Sequence, residues 1–118
     1  MNKQLYMEKK YHIISHEELP EGDYSFTVID YIRGYHNGSA KLPACNKATL
    51  YLKIDSEQGT AVIKKYLFLH PACKGLLFAF FTCIGQYRNG LNWDALPGAC
   101  GRMRVTEQKT IHFLEPTV

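Results

Sequence analysis

Apolar and polar residues alternate most regularly over residues 47–54. Ala48, Leu50, Leu52 and Ile54 form one face, and Lys47, Thr49, Tyr51 and Lys53 form the other. A period of two predicts a strand with one face on a core and one toward water. The same period runs over residues 24–32, where Tyr24, Phe26 and Val28 alternate with Ser25 and Thr27. It returns over residues 60–70: Ala61, Ile63, Leu67 and Leu69 share a face with Lys65, while Val62, Lys64, Tyr66, Phe68 and His70 share the other. Residues 100–107 predict a fourth strand with Met103 and Val105 inward and Arg102 and Arg104 outward, and residues 110–114 a fifth. Between the third and fourth strands the period changes. Leu76, Leu77, Phe80, Phe81 and Ile84 recur at helical spacing behind Pro71 and before Gly85, which predicts a helix over 73–86. Its aromatic stripe is expected to be core.

Pro20-Glu21-Gly22-Asp23, Asn37-Gly38, Asn89-Gly90 and Pro97-Gly98 are turn signals. Residues 33–46 read as a long basic loop. Residues 2–16 show no clear period, and residues 1–18 are expected to form an N-terminal arm or an extra strand. Five strands with a helix between strands 3 and 4 is the order of the oligonucleotide/oligosaccharide-binding (OB) barrel. The expected fold is therefore all-β with one helix, a five-stranded OB-fold barrel. Length argues for one domain over residues 1–118.

Composition narrows the class. With 46% hydrophobic residues the chain has enough apolar material for a core, which argues against disorder. No stretch reaches the ~18 apolar residues of a membrane span. The first residues are polar and lack an apolar secretory core, so a cytoplasmic protein is expected. Cys45, Cys73, Cys83 and Cys100 contain no Cys-x-x-Cys pair, and free thiols are expected in a reducing compartment. His70 and Cys73 are spaced as half of a metal site and offer only a minor alternative.

Charge is divided along the chain. Residues 1–30 hold three lysines and six acids, whereas residues 31–106 hold ten Lys or Arg and only three acids. A concentrated positive region attracts polyanions, although many small proteins carry a solvated basic face. The outward faces add specificity. Lys47, Tyr51 and Lys53 on one strand, Lys64, Tyr66 and Phe68 on the next, and Arg102 and Arg104 on a third place cations among aromatic rings. The loop after the first strand adds Arg33, Tyr35 and Lys41. Cations neutralise phosphates and rings stack on unpaired bases, so this face suits single-stranded nucleic acid. Val62 and Phe68 are apolar on that same face and demand a cover, from the N-terminal segment or from a partner subunit. No P-loop, Gly-x-Ser-x-Gly elbow or His-Glu-x-x-His motif occurs, and no catalytic activity, cofactor or metal is expected.

Several segments carry a family resemblance: Leu19-Pro20-Glu21-Gly22-Asp23-Tyr24, the run from Gly38-Ser39-Ala40-Lys41 to Ala48, and Leu67-Phe68-Leu69-His70. Phe80-Phe81, Ile84-Gly85-Gln86 and Pro97-Gly98-Ala99-Cys100-Gly101 continue it. Over about residues 19–106 the chain resembles a family of small single-stranded-DNA-binding proteins encoded by phages of Gram-positive bacteria, from the replication and recombination module. The resemblance implies the five-stranded barrel, largely sequence-independent binding of single-stranded DNA, and a homo-oligomer. It also implies the host cytoplasm as the place of action, beside a recombinase or strand-annealing protein. It assigns no DNA-contacting residue. The alternative from another class is a non-catalytic OB-type protein-interaction module in a phage assembly, with the same outward rings as its interface.

Overall fold

The structure, a computed structural model, describes residues 3–56, 59–86 and 92–116. Helix α1 (Lys3–Lys10) leads to the two-residue strand β1 (Ile13–Ile14). Then come the long strands β2 (Gly22–His36), β3 (Cys45–Ser56) and β4 (Gly59–Phe68), helix α2 (Lys74–Cys83), and strands β5 (Cys100–Val105) and β6 (Ile111–Leu114). The sheet order is β1-β4-β3-β2-β5-β6, curled into a half-barrel. All neighbours are antiparallel except β1 and β4, which are parallel.

Burial follows the period of two. Leu50, Leu52 and Ile54 from β3, Ile63 and Leu67 from β4, and Met103 and Val105 from β5 all line one core, while Arg102 and Arg104 are exposed. Phe80 and Phe81 of α2 close that core. The Phe80 ring lies 5.1 Å from Phe113 and 6.3 Å from Phe26, so helix and sheet meet through aromatic edges and faces.

The architecture differs from the five-stranded expectation in two ways. Among the described residues there are six strands, and α2 follows the fourth of them because β1 precedes the set. Two residues are too few for an alternation to show. The N-terminal segment also holds a helix, α1, which has no apolar stripe: Met7 is its one buried side chain. The loop between the first two long strands is shorter than 33–46, because β2 runs on to His36 and β3 begins at Cys45. Residues 73–86 are helical over a shorter span, with a 3-10 turn at Pro71–Cys73 ahead of α2. The turn expected at Asn89-Gly90 lies outside the described residues.

A β-bulge changes which residues of β2 face inward. Val28 pairs with Leu52 and Asp30 with Tyr51, so Ile29 is the extra residue. Before the bulge Phe26 and Val28 enter the core, and after it Tyr31 packs there while Ile29 and Ile32 turn to the opposite side.

Candidate nucleic-acid interface

The outer face of the sheet divides into a covered half and an open half. Over the covered half lies α1. Met7, Tyr51 and Val62 form a second buried cluster, flanked by Tyr11, Ile13, Ile29 and Ile32. Tyr51 points away from the main core, as its alternation requires, yet it is only 1% exposed. The expectation that it is presented to solvent is therefore corrected: α1 covers it. Burial pushes its phenol above the ordinary value. Val62 finds its cover in the same helix.

Ion pairs fasten α1 to the sheet. Lys64 Nζ donates to Glu8 Oε1 at 2.6 Å, and Lys3 Nζ lies 2.9 Å from Asp30 Oδ1. The lysine beside it holds the Glu8 carboxyl below its usual range, and the carboxylate raises Lys64 in turn. At the β5 edge Arg104 grips Asp23 with two hydrogen bonds, Nε to Oδ1 at 2.7 Å and Nη2 to Oδ2 at 3.1 Å, while Arg102 stands 3.7 Å from the same carboxylate. Lys64, Arg102 and Arg104 thus already have anionic partners. Both arginines stay exposed, and exposed pairs of this kind are worth about 0–1 kcal/mol.

The open half lies where β2, β3 and β4 run toward the 37–44 loop. Register aligns Gly34, Lys47 and Phe68 across the three strands, with Ile32, Thr49 and Tyr66 in the next row. Gly34 has no side chain, and the stem of Lys47 lies over it. Lys47 then places its ammonium 5.1 Å above the Tyr66 ring, a cation–π contact. Tyr66 is 44% exposed and tilted against Phe68, with centroids 6.4 Å apart. Phe68 is half-buried against the edge of His36 at 5.1 Å. The His36 Nε2 is buried and has no hydrogen-bond partner among the described residues.

Arg33 and Tyr35 belong to β2 rather than to a loop. Arg33 pairs with Ala48 and Tyr35 with Asn46, so both lie on the face opposite Lys47, where the sheet curls past its core. Tyr35 is 56% exposed. Lys41 is exposed in the loop, whose backbone is held by a Ser39 N–H to Leu42 O bond of 2.8 Å. Lys53 sits between Thr27 and Val62 in register and is half-buried. Arg33, Lys41, Lys47 and Lys53 have no ion pair among the described residues. The structure therefore gathers Arg33, Tyr35, Lys41, Lys47, Tyr66 and Phe68 at one end of the sheet, on both sides of its rim. It sets Lys64 and Tyr51 under α1, and Arg102 and Arg104 at the far β5 edge.

Three residues at that end escape sequence reasoning. His36 reads as part of a turn, and Asn46 as part of a loop. Trp93 lies after a turn signal in a short 3-10 segment with no period. Its ring packs on Tyr31 at 5.4 Å and on Phe81 at 5.0 Å. Together with Arg33, Asn46, Lys47, Ala48 and Leu69 it lines a pocket of about 210 Å³. His70, by contrast, is a local cap: its Nδ1 accepts from the Ala72 N–H at 3.0 Å. Among the described residues no three His, Cys, Asp or Glu side chains gather as a metal site. No helix among them is long and apolar enough to cross a membrane.

Comparison with protein-family models, with curated proteins and with solved structures finds no match to this chain.

Proposed function

We propose that this protein binds single-stranded DNA on the open end of its sheet, largely without regard to sequence, in the replication and recombination of a phage. The observation that carries the reading is the uncovered cluster in which Lys47 lies over an exposed Tyr66 beside Phe68, with Arg33, Tyr35 and Lys41 on the same rim. Tyr35, Tyr66 and Phe68 stack on bases. Arg33, Lys41, Lys47 and Lys53 meet phosphates, for which they need surrender no ion pair among the described residues. Lys64, Arg102 and Arg104 are reserve contacts, since each must first exchange a carboxylate for a phosphate. Tyr51 takes no part while α1 is in place.

The fold reading that accompanies this function is an OB-type barrel. With β1 set aside, three antiparallel strands, a helix and two further strands follow one another, and the central strand β2 pairs with both β3 and β5. The protein acts in the host cytoplasm as a homo-oligomer, beside a recombinase or strand-annealing protein, and performs no catalysis. Replacing both exposed rings (Tyr35→Ala with Tyr66→Ala) tests the reading. Each stacked ring contributes about 1–3 kcal/mol, so the double variant should bind single-stranded DNA at least about 30-fold more weakly at unchanged thermal stability. Unchanged affinity overturns the assignment of this face.

A second reading draws on other exposed rings. Tyr6 on α1 is 50% exposed and Phe78 on α2 is 48% exposed, both away from the rim. If they are the working surface, the protein is an interaction module in a phage assembly, and it forms a stable complex with no affinity for DNA.

A further inference from the structure

The geometry points to the pocket beside Trp93 as a receptor for one thymine base of the bound strand, an inference that rests on the single-stranded DNA reading above. At about 210 Å³ the pocket is smaller than the roughly 300–1,000 Å³ of sites for drug-sized ligands. That volume suits a group about the size of one base. Its walls are of three kinds. Trp93 supplies an aromatic ring, braced from behind by Tyr31 and Phe81 so that it need not reorganise to be stacked upon. Ala48 and Leu69 supply apolar surface. Arg33 and Asn46 supply the polar side chains, and Arg33 is a donor only, while Lys47 borders the pocket with its ammonium turned to Tyr66 on the other face.

The apolar lining selects among pyrimidines. Thymine and cytosine both offer two acceptors to Arg33, but thymine adds a methyl group for which Ala48 and Leu69 give an apolar surface, where cytosine has only a ring hydrogen. Asn46 is the adaptable member, because its side-chain amide both donates and accepts. Its position is held by the sheet: the Asn46 carbonyl accepts from the Leu69 N–H at 2.8 Å. The pocket adjoins the rim where Tyr35 and Tyr66 stack, so a strand lying along that rim leaves one base within reach. The consequence is a modest bias toward thymine laid over binding that is otherwise indifferent to sequence.

Trp93 is the only tryptophan in the chain, which makes the pocket its own reporter. The intact protein is titrated with end-labelled oligo-dT and oligo-dC of about 16 nucleotides, the upper site size of such a barrel. Label anisotropy reports binding, and tryptophan emission reports occupancy of the pocket. Oligo-dT is expected to bind about three- to tenfold more tightly than oligo-dC and to quench Trp93 more strongly at saturation. Leu69→Ser, which removes the apolar surface offered to the methyl group, is expected to bring the dT-to-dC ratio close to one. Anisotropy that shows binding without quenching, or with equal quenching and equal affinity for both strands, overturns the pocket and leaves the rim reading standing. No anisotropy change with either strand at low salt overturns both.

Discussion

Gly101 lies where the helix and the sheet approach closely. A Cβ at this position would stand 2.7 Å from Cys83 Sγ on α2 and 2.7 Å from Phe26 Cζ on β2. Neither neighbour can withdraw easily. Phe26 is locked among Phe80 and Phe113, and the Cys83 thiol is buried and donates to the Arg102 carbonyl at 3.2 Å. Burial also pushes that thiol above its ordinary pKa, which keeps it protonated and poorly reactive. Gly101→Ala should therefore destabilise the fold by about 1–3 kcal/mol, the usual cost of overpacking a filled core, as read from urea unfolding. An unfolding midpoint equal to that of the parent protein would show that α2 sits less tightly than described.

Helix α1 decides how much of the outer face is available. Its hold includes the buried side chain of Met7 and the ion pairs of Glu8 and Lys3. Met7→Ala should cost about 2 kcal/mol, the lower end for emptying a buried methionine, and should raise hydrogen exchange in β1 before it does so in β3. The Glu8 pair adds a pH dependence. Its carboxyl titrates below the usual range when folded, so the contact is present above the ordinary carboxylate pKa and is lost as pH falls through and below it. Protection of the amides near Val62, taken relative to their intrinsic exchange rates, should fall over that acidic window and stay level between neutral and alkaline pH, and Glu8→Gln should abolish the difference. The long strands were legible because each buries one face and so shows a clean alternation, as over residues 47–54. Helix α1 was not, because one buried methionine makes no stripe, and β1 is too short for any period. The candidate site was legible in its residue types. Its division into covered and open halves depends on where α1 lands, and no local pattern encodes that. The bulge at Ile29 was likewise hidden: it exchanges the two faces of β2 in mid-strand and moves Arg33 and Tyr35 to the side opposite Lys47.

At the scale of the whole molecule, two acids of the first thirty residues are set against cations of the later strands, Glu8 against Lys64 and Asp23 against Arg104, while Asp30 pairs with Lys3. Of the cations without an ion pair among the described residues, Arg33, Lys41 and Lys47 stand together among exposed rings at one end of the sheet, with Lys53 further along β3, while Lys9 and Lys10 sit on α1, Lys65 on β4, Lys74 on α2 and Lys109 before β6. The proposed role of this end is to bind single strands through stacking and phosphate contacts. Duplex DNA keeps its bases stacked on one another and offers the rings nothing. The most direct test is the affinity of the protein for matched single-stranded and duplex oligonucleotides, followed by fluorescence anisotropy over a range of salt. Tighter binding to the single strand is expected, with log K falling by about 0.7 per phosphate contact for each unit of log salt, so that four cations give a slope near −3. Equal affinity for the duplex, or no binding to either at low salt, would contradict it.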